Sequence, residues 1–393
     1  MKFAYLKYGD LVGPFSRYSP GGVVPDGGPE SYLHQFLAVT EGHKRLIISI
    51  CDTPGSVQGH GAKGWNMRRN LVLPGTPGRY LGAAALWLRA LPRLVAFRPD
   101  VIVVVAPNYL LSLALAVKAM TGCRVVFSCH SQLWARTGLL GDLLRKLKFR
   151  NILRTDSAIC HGPYLQGQLL EMGYPRQALV EFNAGHSYLL QRKDGRGLPD
   201  SVKDLERFFL YVGRVEREKG ALDLLEAFAG ISGAEGTSLV YAGEGGAMAE
   251  LGQRARSGRA AGRVRLLGWI DYAALGGLLE KALAVVVPSW DSCPEGRCKA
   301  VSEAHALGIP VIAPDTGFFA YGVRHGEDGL LYEPNSVPGM RAAMEAILGD
   351  EELAGRLRRG AAEVGQGYLV PEAIFADALG QVFFSASQEK GSA

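Results

Sequence analysis

Short apolar runs alternate with longer amphipathic segments along the chain, which is the pattern of strands and helices in an α/β protein. In the first half we predict strands at Phe3–Tyr8, Arg45–Ile50, Val101–Ala106, Arg124–Ser128 and Ser157–Cys160. Several of these runs are apolar at nearly every position, as parallel strands covered on both faces are. Helices are predicted between them, and the stretch from Asp52 to Gly78 is expected to be irregular.

A second strand–helix series begins near residue 208, after a polar break at Gln191–Val202 that contains Gly and Pro. Its predicted strands are Phe208–Val212, Ser238–Ala242, Val264–Leu267, Ala284–Pro288, Pro310–Ala313 and Gly329–Tyr332. The chain is also longer than one hydrophobic core normally spans. We therefore predict two Rossmann-like, doubly wound domains that face a cleft, over residues 1–195 and 196–366, with ligand at the carboxyl ends of the strands.

The composition is that of a globular protein, and the two halves of the chain differ in net charge. The chain has 393 residues, of which 48% are hydrophobic and 21% charged, which excludes collagen, coiled coil and disordered classes. Residues 1–200 carry 24 Lys and Arg against 12 Asp and Glu, whereas the remainder carries 19 against 26. The basic first half favours an anionic partner such as a phosphate or a membrane surface. Nucleic acid is not expected, because no recognised binding module is present.

The six cysteines indicate a reducing compartment. None of them has Cys-x-x-Cys spacing, which argues against a zinc site and for reduced, mostly buried thiols. The first ten residues are too short and too polar for a signal peptide. We therefore expect a cytoplasmic protein.

A charged loop lies between the strand predicted at Phe208–Val212 and a helix predicted at Ala221–Ala229. It runs Gly-Arg-Val-Glu-Arg-Glu-Lys-Gly from Gly213, with Arg214 and Lys219 on either side of one turn. Cationic side chains near a helix N-terminus suit a diphosphate, which needs cationic donors and exposed N–H groups. The alternative is a surface loop whose charges pair with one another.

Two carboxylates follow the strand predicted at Ala284–Pro288. Glu295 and Glu303 have seven residues between them, so the first precedes a predicted helix and the second lies about one turn into it. Carboxylates accept hydrogen bonds from sugar hydroxyls with directional geometry. The alternative is a solvated Glu295 and a Glu303 that only favours the helix dipole.

A glycine-rich turn, Gly243-Glu244-Gly245-Gly246, follows the strand predicted at Ser238–Ala242 and raises an NAD-dependent enzyme as an alternative. The third glycine of the dinucleotide fingerprint falls on Met248, and no acidic residue ends the next strand. The dinucleotide alternative is therefore disfavoured. A protein that binds a sugar nucleotide without transferring it is a further alternative.

Several motifs occur in one order along the chain. The second half contains Tyr-Val-Gly-Arg-x4-Lys-Gly, Gly-Glu-Gly, Leu-Gly-Trp-Ile, and Glu-x7-Glu followed by Ala-x-Ala-Leu-Gly-Ile-Pro-Val-Ile-Ala. Weaker matches in the first half are Gly27-Gly28-Pro29-Glu30, Glu41-Gly42-His43, the strand ending in His130, and Phe182-Asn183-Ala184-Gly185. The order and spacing resemble the family 4 retaining glycosyltransferases of the GT-B fold, most strongly over Phe208–Pro334.

The resemblance implies catalytic roles for four residues. Arg214 and Lys219 would neutralise the diphosphate of a nucleoside-diphosphate sugar and stabilise the leaving nucleotide. Glu295 would hold hydroxyls of the transferred sugar. His130, together with Gly28, would close over the sugar and diphosphate from the first domain.

The resemblance also implies donor contacts around the nucleotide. Glu303 would bind the ribose, and the base would pack near Trp269 and Ile270. The other implied donor-binding residues are Gly213, Gly243, Gly296, Arg297, Cys298 and Lys299. Two loops depart from the family pattern, at Arg297-Cys298 and Gly317–Gly322, which leaves the sugar open.

The implied reaction is retaining transfer from a UDP- or GDP-sugar to an acceptor hydroxyl. The chain contains no Asp-x-Asp motif, so neither a metal nor another cofactor is expected. Surface polysaccharide or glycolipid assembly is the expected setting, and a small soluble acceptor of secondary metabolism is the alternative. The acceptor is unknown, with an anionic or lipid-linked one expected.

A basic amphipathic helix is predicted at Leu139–Leu153, where Arg145, Lys146, Lys148 and Arg150 surround leucines. Such a helix can lie on an anionic membrane, here the inner face of the plasma membrane, through residues 139–154. A core-facing stripe with a solvated basic face is the alternative. By the resemblance, the C-terminal helix, at about 367–393, would return to the first domain.

Overall fold

The computed structural model of the chain describes residues 1–8, 10–16, 18, 31–51, 55–68, 78–105, 109–133, 149–183, 185–186, 189, 198, 200–232, 235–293, 295–369 and 372–384. The chain forms two compact units. The first comprises Met1–Ala184 together with Ala373–Ala393, and the second comprises Gly185–Glu372. Most of the polar break predicted at Gln191–Val202 lies outside the described residues.

The first unit is built on a largely parallel sheet. Its described strands are β1 (Lys2–Tyr8), β2 (Lys44–Cys51), β3 (Gly55–Gly59), β4 (Ala62–Arg68), β5 (Val101–Val104), β6 (Arg124–Cys129), β7 (Ser157–His161) and β8 (Leu179–Phe182). Their order is β3-β4-β2-β1-β5-β6-β7-β8, and only the β3–β4 pair is antiparallel. Alternate residues of β1 enter the cores on the two faces, Phe3 and Tyr5 on one and Ala4 and Leu6 on the other. Burial on both faces explains the continuous apolar runs.

Three strands of this sheet, β3, β4 and β8, were not predicted. Strands β3 and β4 fall in the stretch that was expected to be irregular, so that prediction was wrong. The two strands form a hairpin whose turn residues, His60 and Gly61, have φ of 47° and 72°, as a tight two-residue turn requires. The strands carry Gly, Ser, Gln and Lys, and their pairing comes from β2 rather than from an apolar pattern. The short edge strand β8 was also missed.

In the described part of the first unit, the helices that precede the second unit are α1 (Val12–Ser16), α2 (Ser31–Val39), α3 (Gly78–Phe97), α4 (Tyr109–Thr121) and α5 (Pro163–Glu171). Most of the predicted basic helix, residues 139–148, lies outside the described residues. Its end does not continue as an α-helix, because Arg150–Arg154 forms a 3₁₀ turn. Thr155 ends that turn, since both its backbone N–H and its hydroxyl bond to the carbonyl of Ile152.

The second unit contains a parallel sheet in the described part of the chain. Its strands are β9 (Arg207–Val212), β10 (Thr237–Ala242), β11 (Val264–Leu266), β12 (Ala284–Val286), β13 (Val311–Pro314) and β14 (Gly329–Tyr332). Their order is β11-β10-β9-β12-β13-β14. From β9 the next strands, β10 and β11, are added on one side, and β12 to β14 are added on the other side, so the strand order switches between β9 and β12. Ligands of such sheets bind at the carboxyl ends of the strands beside this switch point.

The helices of the second unit are α6 (Asp200–Lys203), α7 (Ala221–Ala229), α8 (Met248–Ser257), α9 (Tyr272–Lys281), α10 (Lys299–Ala306), α11 (Gly317–Gly322), α12 (Val337–Gly349) and α13 (Glu351–Leu369). Helix α11 replaces a predicted loop, and its buried Phe318 and Phe319 explain why the segment is ordered against β13. The two units confirm the predicted α/β class.

The last described helix, α14 (Phe375–Phe384), belongs to the first unit, where it packs against α2, β7 and β8. The backbone N–H of Ala376 bonds to the side chain of Gln35 at 2.8 Å, and Arg124 bonds to the carbonyl of Val382 at 2.7 Å. Among the helices that the structure describes, none combines the length and apolarity needed to cross a membrane.

Candidate active site

The loops that follow β9, β10 and β11 are joined by backbone hydrogen bonds. The N–H of Gly213 bonds to the carbonyl of Ala242 at 3.1 Å, and that of Gly243 bonds to the carbonyl of Gly268 at 2.8 Å. Gly243 has φ of 148°, and a Cβ atom there would lie 1.8 Å from the carbonyl oxygen of Gly213. Only glycine fits this position, so the glycine turn brings the strand ends together.

These strand ends border an open pocket of about 350 Å³ within the second unit. Seven residues predicted to bind the donor line it, namely Gly213, Arg214, Gly243, Trp269, Ile270, Lys299 and Glu303. The lining also includes Val212, Ala242, Glu244, Leu275 and Ala300. The structure thus brings residues from the ends of β9, β10 and β11 and from helices α9 and α10 to one pocket.

Arg214 supplies the unengaged cation of this pocket. Its carbonyl accepts a hydrogen bond from the hydroxyl of Tyr211 at the end of β9, which fixes the backbone of the loop. Its guanidinium is exposed and makes no hydrogen bond or ion pair with the described residues. All five of its N–H donors are therefore available to an anionic ligand.

Lys219 and Glu295 do not line this pocket but form an ion pair on two of the same loops. The Lys219 ammonium donates to the Glu295 carboxylate, and the two side chains are 18% and 17% exposed. Gly220, with φ of 68°, makes this approach possible, because a Cβ atom there would lie 1.9 Å from the carbonyl oxygen of Pro288. The charged loop therefore packs directly on the loop that carries Glu295.

The ion pair sets the protonation state of Lys219. Burial by itself would lower the pKa of this lysine, but the adjacent Glu295 carboxylate and its hydrogen bond more than offset that effect. The pKa of Lys219 therefore lies above its usual value, and the side chain stays cationic at neutral pH.

The loop that carries Glu295 is tied at several other points. The indole N–H of Trp290 donates to Asp223 at 2.5 Å, and the backbone N–H of Trp290 bonds to the carbonyl of Glu218 at 2.9 Å. Thr316 donates to the Asp291 carboxylate at 2.6 Å. The bond to Glu218 joins the Glu295 loop to the Lys219 loop, and the other two bonds join it to α7 and to the residue before α11.

Helix α10 supplies the second carboxylate. Glu303 lies in its first turn and a half, 4% of its side chain is exposed, and its Oε1 atom lies 3.2 Å from the Nζ atom of Lys299. The pair lines the pocket together with Ala300. A nearly buried carboxylate on a helix is held in one orientation, which favours the recognition of hydroxyl groups.

The three residues before α10 are placed differently from one another. Gly296 and Cys298 are buried, and burial together with Glu295 raises the pKa of the Cys298 thiol to about 12. The Arg297 guanidinium lies over the ring of Tyr368, with its carbon 5.2 Å from the ring centre. The side chain of Arg297 is thus engaged by α13 and does not line the pocket.

Trp269 lines the pocket with an exposed indole side chain. Its side chain is 74% exposed, and its backbone N–H lies 3.4 Å from the Glu244 carboxylate. Large aromatic side chains are seldom left so exposed, and an exposed indole beside a pocket suits a planar ligand. Glu244 was not predicted as a site residue, although its position directly after β10 is the same signal that singled out Arg214.

His130 lies in the first unit at the end of β6. Its Nε2 atom lies 2.7 Å from the hydroxyl oxygen of Ser128, and its Nδ1 atom is buried without a partner among the described residues. Burial lowers the pKa of His130 to about 4, so the ring is neutral at physiological pH. Gly28 lies outside the described residues.

Two family models together match about four fifths of the chain. A model of glycosyl transferases group 1 matches residues 200–364, and a model of glycosyltransferase family 4 matches residues 27–180. The chain belongs to the family 4, group 1 glycosyltransferases. The glycine turn at Gly243 is therefore part of this family's pattern rather than a dinucleotide fingerprint.

Relatives with curated names agree with this family. A glycogen synthase of Mycobacterium tuberculosis is 36% identical over 153 residues, which are 39% of this chain and 36% of that protein. The lipopolysaccharide core biosynthesis glycosyltransferase LpsE of Rhizobium meliloti is 29% identical over 236 residues, 60% of this chain and 66% of LpsE. The matched segment thus spans about a third of the glycogen synthase and about two thirds of LpsE.

Solved structures agree with the fold. Anabaena Alr3699/HepE in complex with UDP and glucose has a TM-score of 0.63 and 15% identity over the whole of both chains. This likeness supports the GT-B fold of this glycosyltransferase family member.

Proposed function

We propose that this protein is a retaining glycosyltransferase that moves a sugar from a UDP- or GDP-sugar to an acceptor hydroxyl. The observation that carries the proposal is that Arg214 and Glu303 line one pocket at the strand ends, while the Lys219–Glu295 ion pair joins two loops of the same unit. The similarity to HepE, crystallised with UDP and glucose, and to LpsE supports a nucleotide-sugar donor and a role in surface polysaccharide or glycolipid assembly.

The cations are placed to bind the diphosphate. A lysine ammonium has three donors, of which Glu295 occupies one, so two remain for phosphate oxygens. The free guanidinium of Arg214 adds a planar fork that matches a phosphate group. As the bond to the sugar breaks, negative charge grows on the diphosphate, and both cations stabilise that charge more than they stabilise the intact donor.

The two carboxylates are proposed to bind different parts of the donor. Glu295, held by Lys219, accepts hydrogen bonds from hydroxyls of the transferred sugar. Glu303 accepts hydrogen bonds from the ribose, and the base stacks against Trp269 at the exposed end of the pocket. The carboxylate and the indole are both presented by backbone that the structure fixes through hydrogen bonds.

The reaction is proposed to proceed without a metal ion or other cofactor. The sugar–phosphate bond breaks, and the acceptor hydroxyl attacks the same face of the anomeric carbon. The acceptor proton passes to an oxygen of the departing phosphate. Arg214 and Lys219 supply the charge neutralisation that a divalent cation provides in other glycosyltransferases.

The first unit is proposed to bind the acceptor. His130 enters this step as a neutral ring, because burial holds its pKa near 4. The basic first half of the chain favours an anionic or lipid-linked acceptor, and residues 139–154 are proposed to contact the membrane surface. We place the enzyme in the cytoplasm, at the inner face of the plasma membrane.

A donor screen by thermal shift tests the proposal. A ligand that binds only the folded state at 100 times its Kd adds about 2.7 kcal/mol of stability. We expect UDP or GDP, and one of their sugar conjugates, to raise the Tm, and NAD to have no effect. EDTA should leave the shift and the turnover unchanged. A protein that responds to neither diphosphate, or whose turnover EDTA abolishes, contradicts the proposal.

A further inference from the structure

His186 is a fully buried histidine of the second unit that none of the proposed steps uses. Its Nε2 atom lies 2.8 Å from the hydroxyl oxygen of Ser302, in the first turn of α10. The next residue along the helix is Glu303, and both Ser302 and Glu303 are almost completely buried. The histidine therefore contacts the helix immediately beside a residue of the pocket.

The direction of this hydrogen bond follows from the second bond of Ser302. The Ser302 hydroxyl donates its proton to the carbonyl of Lys299 at 3.0 Å. A serine hydroxyl has only one proton, so it must accept from His186, whose Nε2 carries the hydrogen. Burial, with the nearby Arg297 and Lys299, lowers the pKa of His186 to about 3, so the ring is neutral and keeps this arrangement at physiological pH.

The histidine is anchored independently of its ring. Its backbone N–H bonds to the carbonyl of Tyr368 in α13 at 3.0 Å. Helix α13 in turn packs tightly on α10, since a Cβ atom at Gly365 would lie 1.9 Å from the carbonyl oxygen of His305. The ring of His186 thus connects a fixed backbone position to the first turn of α10.

We propose that His186 is a positioning residue of the donor site, which holds Ser302 so that the first turn of α10 presents Lys299 and Glu303 to the pocket. The proposal rests on the proposed function, because these two side chains line the pocket assigned to the nucleotide. The chain of contacts is short. His186 donates to Ser302, Ser302 donates to the Lys299 carbonyl, and Lys299 pairs with Glu303 at 3.2 Å.

The test uses four variants and two matched controls. His186→Phe removes the donor, Ser302→Ala removes the acceptor, the double variant removes both, and His186→Gln restores a side-chain N–H of similar reach. His34→Phe is the control for a buried histidine, because His34 bonds to the carbonyl of Pro14 at 2.6 Å in the first unit. Ser257→Ala is the control for a helical hydroxyl, since Ser257 bonds to the carbonyl of Gln253.

Hydrogen exchange of the ligand-free protein tests the positioning itself. We expect amides of the Lys299–Ala306 peptide to exchange several-fold faster in His186→Phe and Ser302→Ala, and at the wild-type rate in His186→Gln and both controls. Unchanged exchange in the two removal variants overturns the proposal. If His186→Phe fails to fold, Ser302→Ala, which removes a single oxygen, decides the outcome.

Calorimetry with UDP and GDP tests the consequence for the donor. A single hydrogen bond corresponds to about a 2- to 12-fold change in affinity. We expect that loss in both single variants, no loss in the double variant beyond that of Ser302→Ala because the bond to His186 is already absent there, and recovery in His186→Gln. Faster exchange with unchanged affinity overturns the positioning role. A wild-type protein that binds neither nucleotide defeats the proposed function instead, and the exchange measurement still decides whether His186 holds α10.

Discussion

The carboxyl ends of the two sheets carry opposite kinds of side chain. In the second unit the loops after β9 and β12 hold an exposed Arg214 and the Lys219–Glu295 ion pair. In the first unit the ends of β6, β7 and β8 hold a cluster of packed rings, formed by Tyr32, His130, His161, Phe182 and Phe375. The described residues at those three strand ends include no Lys or Arg, although the first half of the chain is strongly basic.

The difference separates two modes of recognition. Fixed cations with a paired carboxylate suit a charged diphosphate, whose charge grows during the reaction. A cluster of packed rings, in which the His130 ring is neutral, offers contact area and single hydrogen bonds, which suit an uncharged ligand surface. The net positive charge of the first half therefore lies away from the ends of β6, β7 and β8. We expect substitutions in the second unit to change donor binding, and substitutions in the first unit to change other properties.

Removing the lysine of the ion pair should have the largest effect. Lys219→Ala deletes a cation next to the departing diphosphate and leaves the Glu295 carboxylate unpaired near it. We expect kcat to fall by about 10²–10³-fold, as when one preorganised donor is removed from an anionic transition state. Nucleoside-diphosphate affinity should fall by about 1.5–3 kcal/mol.

Steady-state kinetics and calorimetry measure the two effects of Lys219→Ala. The matched control is Lys203→Ala, which removes an exposed lysine that pairs with Asp200 on the same unit. Arg214→Ala should lower the same affinity, with Arg217→Ala, which breaks an exposed pair with Glu250, as its control. Wild-type affinity in both Lys219→Ala and Arg214→Ala would remove these residues from the site.

The two carboxylates should separate turnover from binding. Glu295→Gln should lower kcat by about 10²-fold with little change in nucleoside-diphosphate affinity, because a misplaced sugar loses its reactive geometry. Glu303→Gln should weaken the nucleotide itself. Glu250→Gln, which changes a half-buried carboxylate on α8 that pairs with Arg217 and Arg254, is the control. An equal loss of nucleotide affinity in both variants would show that the roles of Glu295 and Glu303 are assigned wrongly.

The sequence predicts this part of the molecule well because its signal is local. Each site residue of the second unit follows an apolar strand, and in a parallel sheet all strands end at one edge. Arg214 and Glu303 could therefore be singled out from their positions after a strand, whereas Trp269 was implied only by the family resemblance. The Lys219–Glu295 pair could not, because it depends on the contact that Gly220 allows with Pro288, 68 residues further along the chain.

The errors in the predicted fold also arise from contacts between residues far apart in the sequence. The hairpin β3–β4 contains few apolar residues, and the sheet edge offered by β2 specifies it more than its own pattern does. The buried hydrogen bond between His186 and Ser302 joins residues 116 positions apart, and Ser302 is one of the unspecified positions of the Glu-x7-Glu motif. Long-range contacts of this kind produce no periodic pattern in the sequence.

The neutral His130 ring should make the stability of the protein depend on pH. The folded-state pKa of His130 is about 4, below the ordinary value of 6.5, because burial disfavours the charged ring. Above pH 6.5 both folded and unfolded states hold a neutral ring. As the pH falls from 6.5 towards 4, only the unfolded state gains the proton, so stability is lost by about 1–3 kcal/mol.

Thermal unfolding at pH 7.5 and pH 5 measures this loss. His130→Phe should reduce the drop in Tm between the two pH values, whereas Ser257→Ala, on the surface of the second unit, should not. His186 contributes in the same direction, because burial also lowers its pKa. An equal drop in wild type and His130→Phe would show that His130 is not held neutral.

The basic residues of the first half should have the smallest effect. Changing them should leave donor affinity unchanged, which separates the first unit from the donor site. Neutralising Arg145, Lys146, Lys148 and Arg150 to Gln should weaken binding to anionic vesicles several-fold, since exposed charge contacts contribute only about 0.2–1 kcal/mol each. Such contacts are screened over ~8–10 Å at physiological ionic strength, so added salt should have the same effect as the substitutions. Flotation with neutral and anionic vesicles makes the measurement, with Arg254, Arg256 and Arg259 of the second unit changed to Gln as the matched control. Equal recovery with both kinds of vesicle, or none with either, would assign the acceptor to solution rather than to a membrane.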